Sequence, residues 1–152
     1  MSRLTDAQQE AWRSLMTATL VLDGALDRQS QRDGGMPHAH YKVLVVLYET
    51  SGRRLAMSAL AAQLRYSPSR LTHTVVSMEK SGWLQRSRST DDRRVQIVQL
   101  TEVGIRLVKK VSPIQATEVR ARAFSQLSTK QVQQLDAITA AIVEGLDDQP
   151  AS

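Results

Sequence analysis

The chain contains no cysteine, so it forms no disulfide and carries no thiol-based redox switch. No apolar stretch approaches the length of a transmembrane helix, and the longest candidate covers only residues 43–47. The first residues lack the apolar segment of a signal peptide. These absences predict a cytoplasmic protein without a membrane partner.

Groups that commonly carry catalysis are also scarce. The sequence has three histidines, no glycine-rich phosphate-binding loop and no serine nucleophile elbow. At 152 residues and 41% hydrophobic content, the chain is long enough for one domain with a core of its own. We expect a binding protein, not an enzyme, and no cofactor.

What the chain does have is an uneven distribution of charge. Residues 53–110 hold 12 Lys/Arg and 4 Asp/Glu, whereas residues 1–52 hold 5 and 6, and residues 111–152 hold 3 and 5. A generally basic protein would not need such near-neutral flanks. A basic surplus confined to one segment is typical of a phosphate-binding surface, which indicates a nucleic-acid partner.

Helix signals dominate both ends of the chain. Thr5 and Gln8 form a capping box before a long amphipathic helix, and Ser128 and Gln131 form a second box before the last helix. Thr101 is placed to cap another long helix. The inward stripe of that helix is predicted at Leu107, Val108, Val111 and Ile114. The fold class is therefore predicted to be mainly α.

Shorter elements are predicted between these long helices. The glycines at 34–35 end a connection that follows the first helix, and Pro37 is placed as the first residue of the second. Ser58 is a possible cap of a third, short helix. Residues 55–56 are too few for an independent strand, but they can pair with the strands that follow.

Residues 55–101 have the pattern of a winged helix-turn-helix. Ser67 caps a helix with Pro68 at its first position, which is a strong start signal. This helix, over residues 67–82, is the predicted recognition helix. Strand-like runs over residues 83–88 and 95–100, on both sides of the loop 89–94, form a small β-hairpin, the predicted wing.

The first turns of a recognition helix present their side chains to DNA. Leu71 and Val75 face the core, which leaves the opposite face for contacts. Arg70 can donate a bidentate pair of hydrogen bonds to guanine, or it can contact a phosphate, and the sequence leaves both roles open. The predicted DNA-contacting residues of this helix are Ser67, Ser69, Arg70, Thr72 and His73.

Arginine also marks the tip of the wing. Arg94 suits a narrow minor groove, where the negative potential is concentrated. Asp92 is poorly suited to face phosphates, and we expect it to anchor Arg94 or the turn through a charge-assisted hydrogen bond. Arg86 either contacts a phosphate or braces the wing by pairing with Asp91 or Asp92. Alone, this run would be a solvated loop, but its place beside a capped recognition helix favours DNA contact. The predicted DNA-contacting residues of the wing are Arg86, Arg88, Asp92, Arg93 and Arg94.

Together these features resemble the MarR family of bacterial transcriptional regulators. The most specific motif is Asp92-Arg93-Arg94, followed by a strand and a Leu-Thr helix start. The resemblance implies a homodimer, joined through both terminal regions, that binds a pseudo-palindromic operator. It also implies that many members are repressors released by small, often anionic aromatic molecules. The similar stretches are residues 55–61, 67–72, 78–86 and 92–101.

The chain departs from the family pattern in three ways, one of which is that Trp83 replaces the usual leucine after Gly82. Arg65-Tyr66 stands where the family often has glycine and a β-branched residue, so we expect the turn before the recognition helix to differ slightly. The peroxide sensors of the family use cysteine, and that mechanism is excluded here because the chain has none.

Apolar stripes on the terminal helices lie outside the winged unit and would be exposed in a single chain. A homodimer in which the ends of two chains intertwine would bury them, and the alternative is that both ends fold back onto their own core. We assign residues 1–36 and 102–152 to dimerisation and residues 37–101 to DNA binding, within one structural domain. The stripe of the last helix comprises Val132, Leu135, Ile138, Ile142 and Leu146.

The resemblance also places an effector pocket between the dimerisation helices and the winged region. The pair His38-x-His40 could supply two metal ligands, but a structural zinc site needs four, so no metal is predicted. Trp12 and Met16, at helical spacing, are more often core residues. The residues that could line a pocket for a small aromatic or anionic effector are Trp12, Met16, His38, His40 and Tyr41.

We therefore predict a homodimeric, sequence-specific transcriptional regulator, with repression favoured over activation. The alternative is an architectural DNA-binding protein with weak sequence preference and no effector control. A winged helix that binds only other proteins is disfavoured by Arg70 and Arg94.

Overall fold

The computed structural model describes residues 3–147, so the outermost residues of the two predicted dimerisation segments, 1–36 and 102–152, lie outside it. The architecture is mainly α-helical with one small antiparallel sheet, which confirms the predicted fold class. The elements in chain order are α1 Asp6–Gly34, α2 His38–Glu49, β1 Arg54–Ala56, α3 Met57–Leu64, α4 Pro68–Lys80, β2 Leu84–Arg88, β3 Gln96–Leu100, α5 Glu102–Val119 and α6 Thr129–Asp147.

The first helix begins at the predicted capping box. The Thr5 hydroxyl accepts from the Gln8 amide at 3.2 Å, and the Thr5 amide donates to the Gln8 side chain at 2.9 Å. The connection predicted before Gly34 is wrong, because α1 continues to that residue and ends at Gly35 with φ +66°. The apolar pattern fades there because two of the inward positions of this stretch are polar, Gln29 and Ser30.

The starts of the next two helices also differ in detail from the prediction. Pro37 precedes α2 as its N-cap, with ψ 146°, and is not its first helical residue. The amide of His38 is instead satisfied by Asp27 of α1, at 2.8 Å. Ser58 is not a cap, because α3 begins at Met57 directly after a residue that still belongs to β1.

The start of the predicted recognition helix agrees with the sequence. Ser67 is the N-cap of α4, its hydroxyl accepts from the Arg70 amide at 3.2 Å, and Pro68 opens the helix. The turn before it passes through Arg65, which has φ +53°. The Tyr66 amide closes this turn by donating to the Ala61 carbonyl at 3.0 Å.

The sheet has the order β1-β3-β2 with antiparallel neighbours. Leu55 of β1 lies opposite Val98, so residues 55–56 do pair with the wing as predicted. The wing strands begin one residue later than the predicted 83–88 and 95–100. The turn between them is therefore residues 89–95.

One core lies under α2, α3, α4, the sheet and the first half of α5. On α5, Ile105 is buried although the predicted stripe omitted it, and Ile114 is exposed although the stripe included it. The stripe is displaced because α5 packs against the sheet from its first turn. The largest fully buried apolar side chains are Met36, Leu44, Leu47, Leu60, Leu71, Met78 and Leu84.

The backbone is closely packed where the wing meets α5. Thr101 caps the helix by accepting from the Gly104 amide at 3.1 Å, and its own amide donates to the Trp83 carbonyl at 3.1 Å. Gly104 faces that same carbonyl so closely that a Cβ at this position would lie 2.1 Å from the oxygen. Only glycine fits here without displacing backbone.

The chain forms two compact units, which separate after Ala116 within α5. In the first unit, the exposed face of α1 carries large apolar side chains, among them Trp12, Leu20 and Val21. In the second, α6 exposes Leu135, Ile138, Ile142, Val143 and Leu146. Both sets of apolar side chains are open to solvent in the single chain. Among residues 3–147, no helix is both long enough and apolar enough to cross a membrane.

Candidate nucleic-acid interface

The two faces of α4 have opposite characters. Leu71, Thr74, Val75 and Met78 are buried against the core and hold the helix in place. The opposite face is open to solvent, as a recognition surface must be. The exposed residues of this face are Ser69, Arg70, Thr72, His73 and Ser77.

Hydroxyl groups cluster at the N-terminus of α4. The Ser67 and Ser69 hydroxyls lie 3.4 Å apart, and the Thr72 hydroxyl donates to the Pro68 carbonyl at 2.9 Å. Thr72 therefore uses its proton within the helix and offers only an acceptor. A helix N-terminus carries a partial positive charge and favours an anion such as a phosphate.

Arg70 is held by an aromatic ring. Its guanidinium carbon lies 3.9 Å from the centre of the Tyr66 ring, well inside the range of a cation–π contact. The Tyr66 hydroxyl donates to the carbonyl of Ala39 in α2, at 3.5 Å. Burial raises the pKa of the Tyr66 phenol above its ordinary value. Sequence reasoning missed this residue, because Tyr66 lies in the turn before α4, where the helical spacing rule that pairs side chains four positions apart does not apply.

At the tip of the wing, Arg94 pairs with Asp92. Its Nε lies 3.1 Å from Oδ1 and its Nη2 3.0 Å from Oδ2, and its amide donates to Oδ1 at 3.0 Å. These hydrogen bonds hold the pKa of the Asp92 carboxyl below its ordinary value. The expected anchoring contact is therefore present, while the Arg94 side chain stays 91% exposed. An ion pair this exposed is weak, so Arg94 can exchange its partner at little cost.

The rest of the wing turn is fixed by short-range hydrogen bonds. The Ser89 amide donates to the Val95 carbonyl at 2.8 Å, and the Ser89 hydroxyl accepts from the Asp91 amide at 3.2 Å. Arg88 donates across the turn to the Arg93 carbonyl at 2.8 Å. The Arg93 side chain itself is exposed. The turn is thus held by its own backbone and leaves its arginine side chains facing solvent.

Arg86 has a partner that the sequence did not suggest. The predicted brace to Asp91 or Asp92 is wrong, because Arg86 pairs with Glu79 of α4, Nη2 to Oε1 at 3.0 Å. The Arg86 amide also donates to Glu79 Oε2, at 2.9 Å. These contacts hold the pKa of Glu79 below its ordinary value. No local spacing rule links a helix residue to a strand residue seven positions later, so the pair had no signal in the sequence.

The structure brings together only two of the five residues proposed for an effector pocket. Met16 and His38 line one open groove of about 760 Å³. Trp12 lies nearer the start of α1 and is 52% exposed. Tyr41 is buried and bonded to Ser112 at 3.0 Å, and His40 lies edge-on to a ring near the wing. The other groove residues are Thr19, Leu20, Leu22, Asp23, Leu26 and Lys42.

The two histidines of α2 have different surroundings. His38 Nδ1 lies 3.3 Å from Gln115 Nε2, and its ring stacks on Tyr41. The His40 ring meets Trp83 at 6.4 Å between centres. Within residues 3–147, no three side chains of histidine, cysteine, aspartate or glutamate are grouped to hold a metal ion.

The buried His38 and the half-buried His40 make the stability of the fold depend on pH. Burial, helped by Lys42, lowers the pKa of His38, and burial also lowers that of His40. The unfolded chain therefore takes up protons first as the pH falls below the ordinary value of 6.5. We expect the free energy of unfolding to decrease as the pH falls from about 6.5 to about 5.5, because the unfolded chain then binds more protons than the folded one.

Urea unfolding at fixed protein concentration, at a series of pH values, measures this decrease. The pKa values of Glu79 and Asp92 are lowered in the folded protein, so their protonation destabilises it only as the pH falls to their ordinary pKa values of 4.5 and 3.8. The decrease should be clearly smaller in His38→Gln and only slightly smaller in His73→Gln, because the charge of the exposed His73 helps to lower the pKa of His40. Equal slopes in the three proteins would contradict the assignment to His38.

Comparison with known proteins gives a consistent result. The sequence model of the MarR family matches residues 36–95. Transcriptional repressor MprA of Escherichia coli K12 is 31% identical over 113 residues, which are 74% of this chain and 64% of that protein. The match thus spans less than two thirds of MprA. An uncharacterised helix-turn-helix regulator of Bacillus subtilis, YkoM, is 31% identical over 71% of this chain and 68% of its own length.

Solved structures match over almost the whole chain. Sco3205, a MarR family regulator of Streptomyces coelicolor solved in complex with DNA, is 39% identical and superposes with a TM-score of 0.94. The superposition covers 99% of this chain and 93% of Sco3205. AbsC, a second family member from the same organism, is 33% identical with a TM-score of 0.93, covering 98% and 100% of the two chains.

Proposed function

This chain belongs to the MarR family of transcriptional regulators, and on that basis we propose that it is a homodimeric repressor of a pseudo-palindromic operator. The observation that carries the proposal is the presentation of Arg70 and Arg94 on two separate, exposed elements, each held by an internal partner. Sco3205, at 39% identity, is described in complex with DNA. Binding to chromosomal DNA would place the protein in the cytoplasm.

In this proposal α4 enters the major groove. Its first turn, with Ser67 and Ser69, contacts phosphates, while Arg70 and His73 face base edges. Thr72 offers an acceptor because its proton is used within the helix. In a dimer the two α4 helices would lie in successive major grooves, about 34 Å apart.

The wing adds contacts at the neighbouring minor groove. Arg94 would leave Asp92 and enter the groove, where the potential is most negative. Arg88 and Arg93 would contact phosphates on either side. Arg86 serves this surface indirectly, since its pair with Glu79 ties the wing to the recognition helix.

The exposed apolar faces of α1 and α6 support the proposed homodimer. Exposed apolar surface of this extent on a single chain marks a protein interface. A pseudo-palindromic site is the natural partner of a two-fold symmetric dimer. Repression is the sign of control that we favour, because MprA, at 31% identity, is named a transcriptional repressor.

The groove beside α1 and α2 is the place we propose for an effector. Apolar side chains line most of it, and Lys42 supplies a positive charge near His38. A small aromatic molecule suits the apolar surface, and Lys42 would pair with an acid group placed on its side of the groove, away from the Asp23 carboxylate. Within this proposal, Met16 and His38 would contact the ligand, and Trp12, His40 and Tyr41 would act only if the groove changed shape.

The function is tested by fluorescence anisotropy with a duplex of about three helical turns from the region upstream of this gene. A scrambled duplex of equal length serves as control, over a range of salt concentrations. Tight binding of one dimer, with a preference that survives raised salt, supports a specific regulator. Equal and steeply salt-dependent binding to both duplexes, and to any sequence recovered from a random pool, would indicate an architectural protein instead.

For the wing, we expect Arg94→Ala to weaken binding most at operators with AT-rich flanks. Such flanks narrow the minor groove and strengthen its attraction for arginine, so the loss should be about 1–3 kcal/mol there and smaller at GC-rich flanks. Binding to a pair of operators that differ only in their flanks measures this.

Arg93→Ala is the matched control, since the neighbouring side chain is also exposed and its backbone carbonyl keeps the contact with Arg88. Arg93→Ala should weaken binding to both operators equally, and it should reduce the number of counterions released on binding by about one. A flank-independent loss in Arg94→Ala would remove the minor-groove role.

A further inference from the structure

The contact between Tyr66 and Arg70 differs from every other arginine contact of the described interface. Arg86, Arg88 and Arg94 each donate to an oxygen, which uses up part of the guanidinium edge. Arg70 is held through its face, 3.9 Å above the Tyr66 ring. In the described part of the chain, its guanidinium makes no hydrogen bond or ion pair with another side chain. Its in-plane N–H donors therefore all remain available.

The ring that supports Arg70 is itself fixed. The Tyr66 amide closes the turn between α3 and α4 by donating to Ala61, and its hydroxyl donates to Ala39 of α2. The ring is half-buried against the core. Tyr66 is thus tied to two elements at its two ends, and it cannot follow Arg70 if that side chain moves away.

A guanidinium held in this way is prepared for one kind of contact. Bidentate donation to guanine O6 and N7 requires the plane of the group to be oriented before binding, because both donors must meet the base edge together. A phosphate accepts from many directions and gains little from such orientation. Stacking also limits the rotamers of a long side chain that would otherwise lose its freedom on binding.

We propose that Tyr66 is a positioning residue for sequence readout, which stacks on Arg70 and presents the guanidinium edge to a guanine in the major groove. The inference rests on the proposed function and adds to it the residue that makes Arg70 selective. It also decides between the two roles that the sequence left open for Arg70. The position is one where the chain departs from the usual turn of its family.

The test begins with an operator recovered from a random pool by the full-length protein. Each operator position is then replaced in turn, and dissociation constants are measured for the wild type, Tyr66→Leu, Tyr66→Phe and Arg70→Ala. Arg70→Ala should lower discrimination about tenfold or more at one guanine in each half-site. Tyr66→Leu should lower discrimination at that same guanine about two- to fivefold, with unchanged affinity for scrambled DNA.

Two further variants separate positioning from simple stability. Tyr66→Phe keeps the ring but not the hydroxyl contact with Ala39, and it should restore most of the discrimination that Tyr66→Leu loses. In the Arg70→Ala background, Tyr66→Leu should have no further effect, because the side chain that it positions is gone. Equal losses on the selected and scrambled duplexes, or an effect that persists without Arg70, would overturn the inference.

A variant that keeps Tyr66 tests the inference even if the Tyr66→Leu protein fails to fold. Arg70→Lys keeps the charge but not the planar, bidentate donor pair. It should lose the guanine preference, whereas full retention of the preference would overturn the inference. If the wild-type protein selects no preferred sequence from the random pool, the proposed function is overturned together with this inference. If it selects one and the Tyr66 variants read it as the wild type does, this inference alone is overturned.

Discussion

Ile138→Asp should convert the protein from a dimer to a monomer and weaken operator binding by about 100-fold or more. Ile138 lies in the middle of the apolar stripe of α6 and is 59% exposed in the single chain. If a second copy covers this stripe, the substitution places an unpaired carboxylate in a dry interface. A monomer reaches only one half-site and loses the gain in effective concentration that a linked second half-site provides.

Sedimentation velocity measures the oligomeric state, and anisotropy measures the affinity for the operator. Gln133→Asp is a matched control, because it adds the same charge on the exposed opposite face of the same helix. It should remain a dimer and bind normally. An Ile138→Asp protein that stays dimeric would show that α6 is not at the centre of the interface.

Gly104→Ala should reduce the free energy of unfolding by about 3 kcal/mol or more. The added Cβ would lie 2.1 Å from the Trp83 carbonyl oxygen and 3.2 Å from the Leu100 side chain. Neither neighbour can yield easily, because the carbonyl accepts from Thr101 and the leucine is buried in the core. The helix must therefore shift away from the junction with the wing, and core contacts of Ile105 are lost with it.

Chemical denaturation at equal protein concentration measures this change. Gly24→Ala provides the comparison, since it also adds a methyl group within a helix, where its nearest neighbour is the flexible end of Arg28 at 3.3 Å. There we expect a gain of about 0.5–1 kcal/mol from the better helix propensity of alanine. Similar changes in the free energy of unfolding for the two substitutions would mean that the backbone around Gly104 can move to make room for a methyl group.

The sequence was sufficient for the elements whose signals are local. The capping boxes at Thr5 and Ser128, and the Ser67-Pro68 start of α4, are each made by residues within four positions of one another. The wing and its pairing with residues 55–56 followed from alternation and turn length. The same holds for Asp92 and Arg94, whose contact joins positions two residues apart.

The sequence failed where a contact joins distant elements. The end of α1 was placed too early because its inward side chains there include Gln29 and Ser30, which carry no apolar signal. The cap of α2 comes from Asp27, eleven positions before His38. Glu79 and Arg86 meet across a turn between a helix and a strand. Such contacts depend on how elements pack, and packing is not encoded in any short window of residues.

The opposite faces of α4 have a consequence for how such a protein changes over evolutionary time. Leu71, Val75 and Met78 carry the stability of the helix, whereas Ser69 and His73 on the other face contribute almost nothing to it. If α4 is the recognition helix that we propose, substitutions at the exposed positions alter the DNA sequence that is preferred while leaving the folded state intact. A duplicated copy of this gene can acquire a new operator, and with it a new set of target promoters, without first passing through an unstable intermediate.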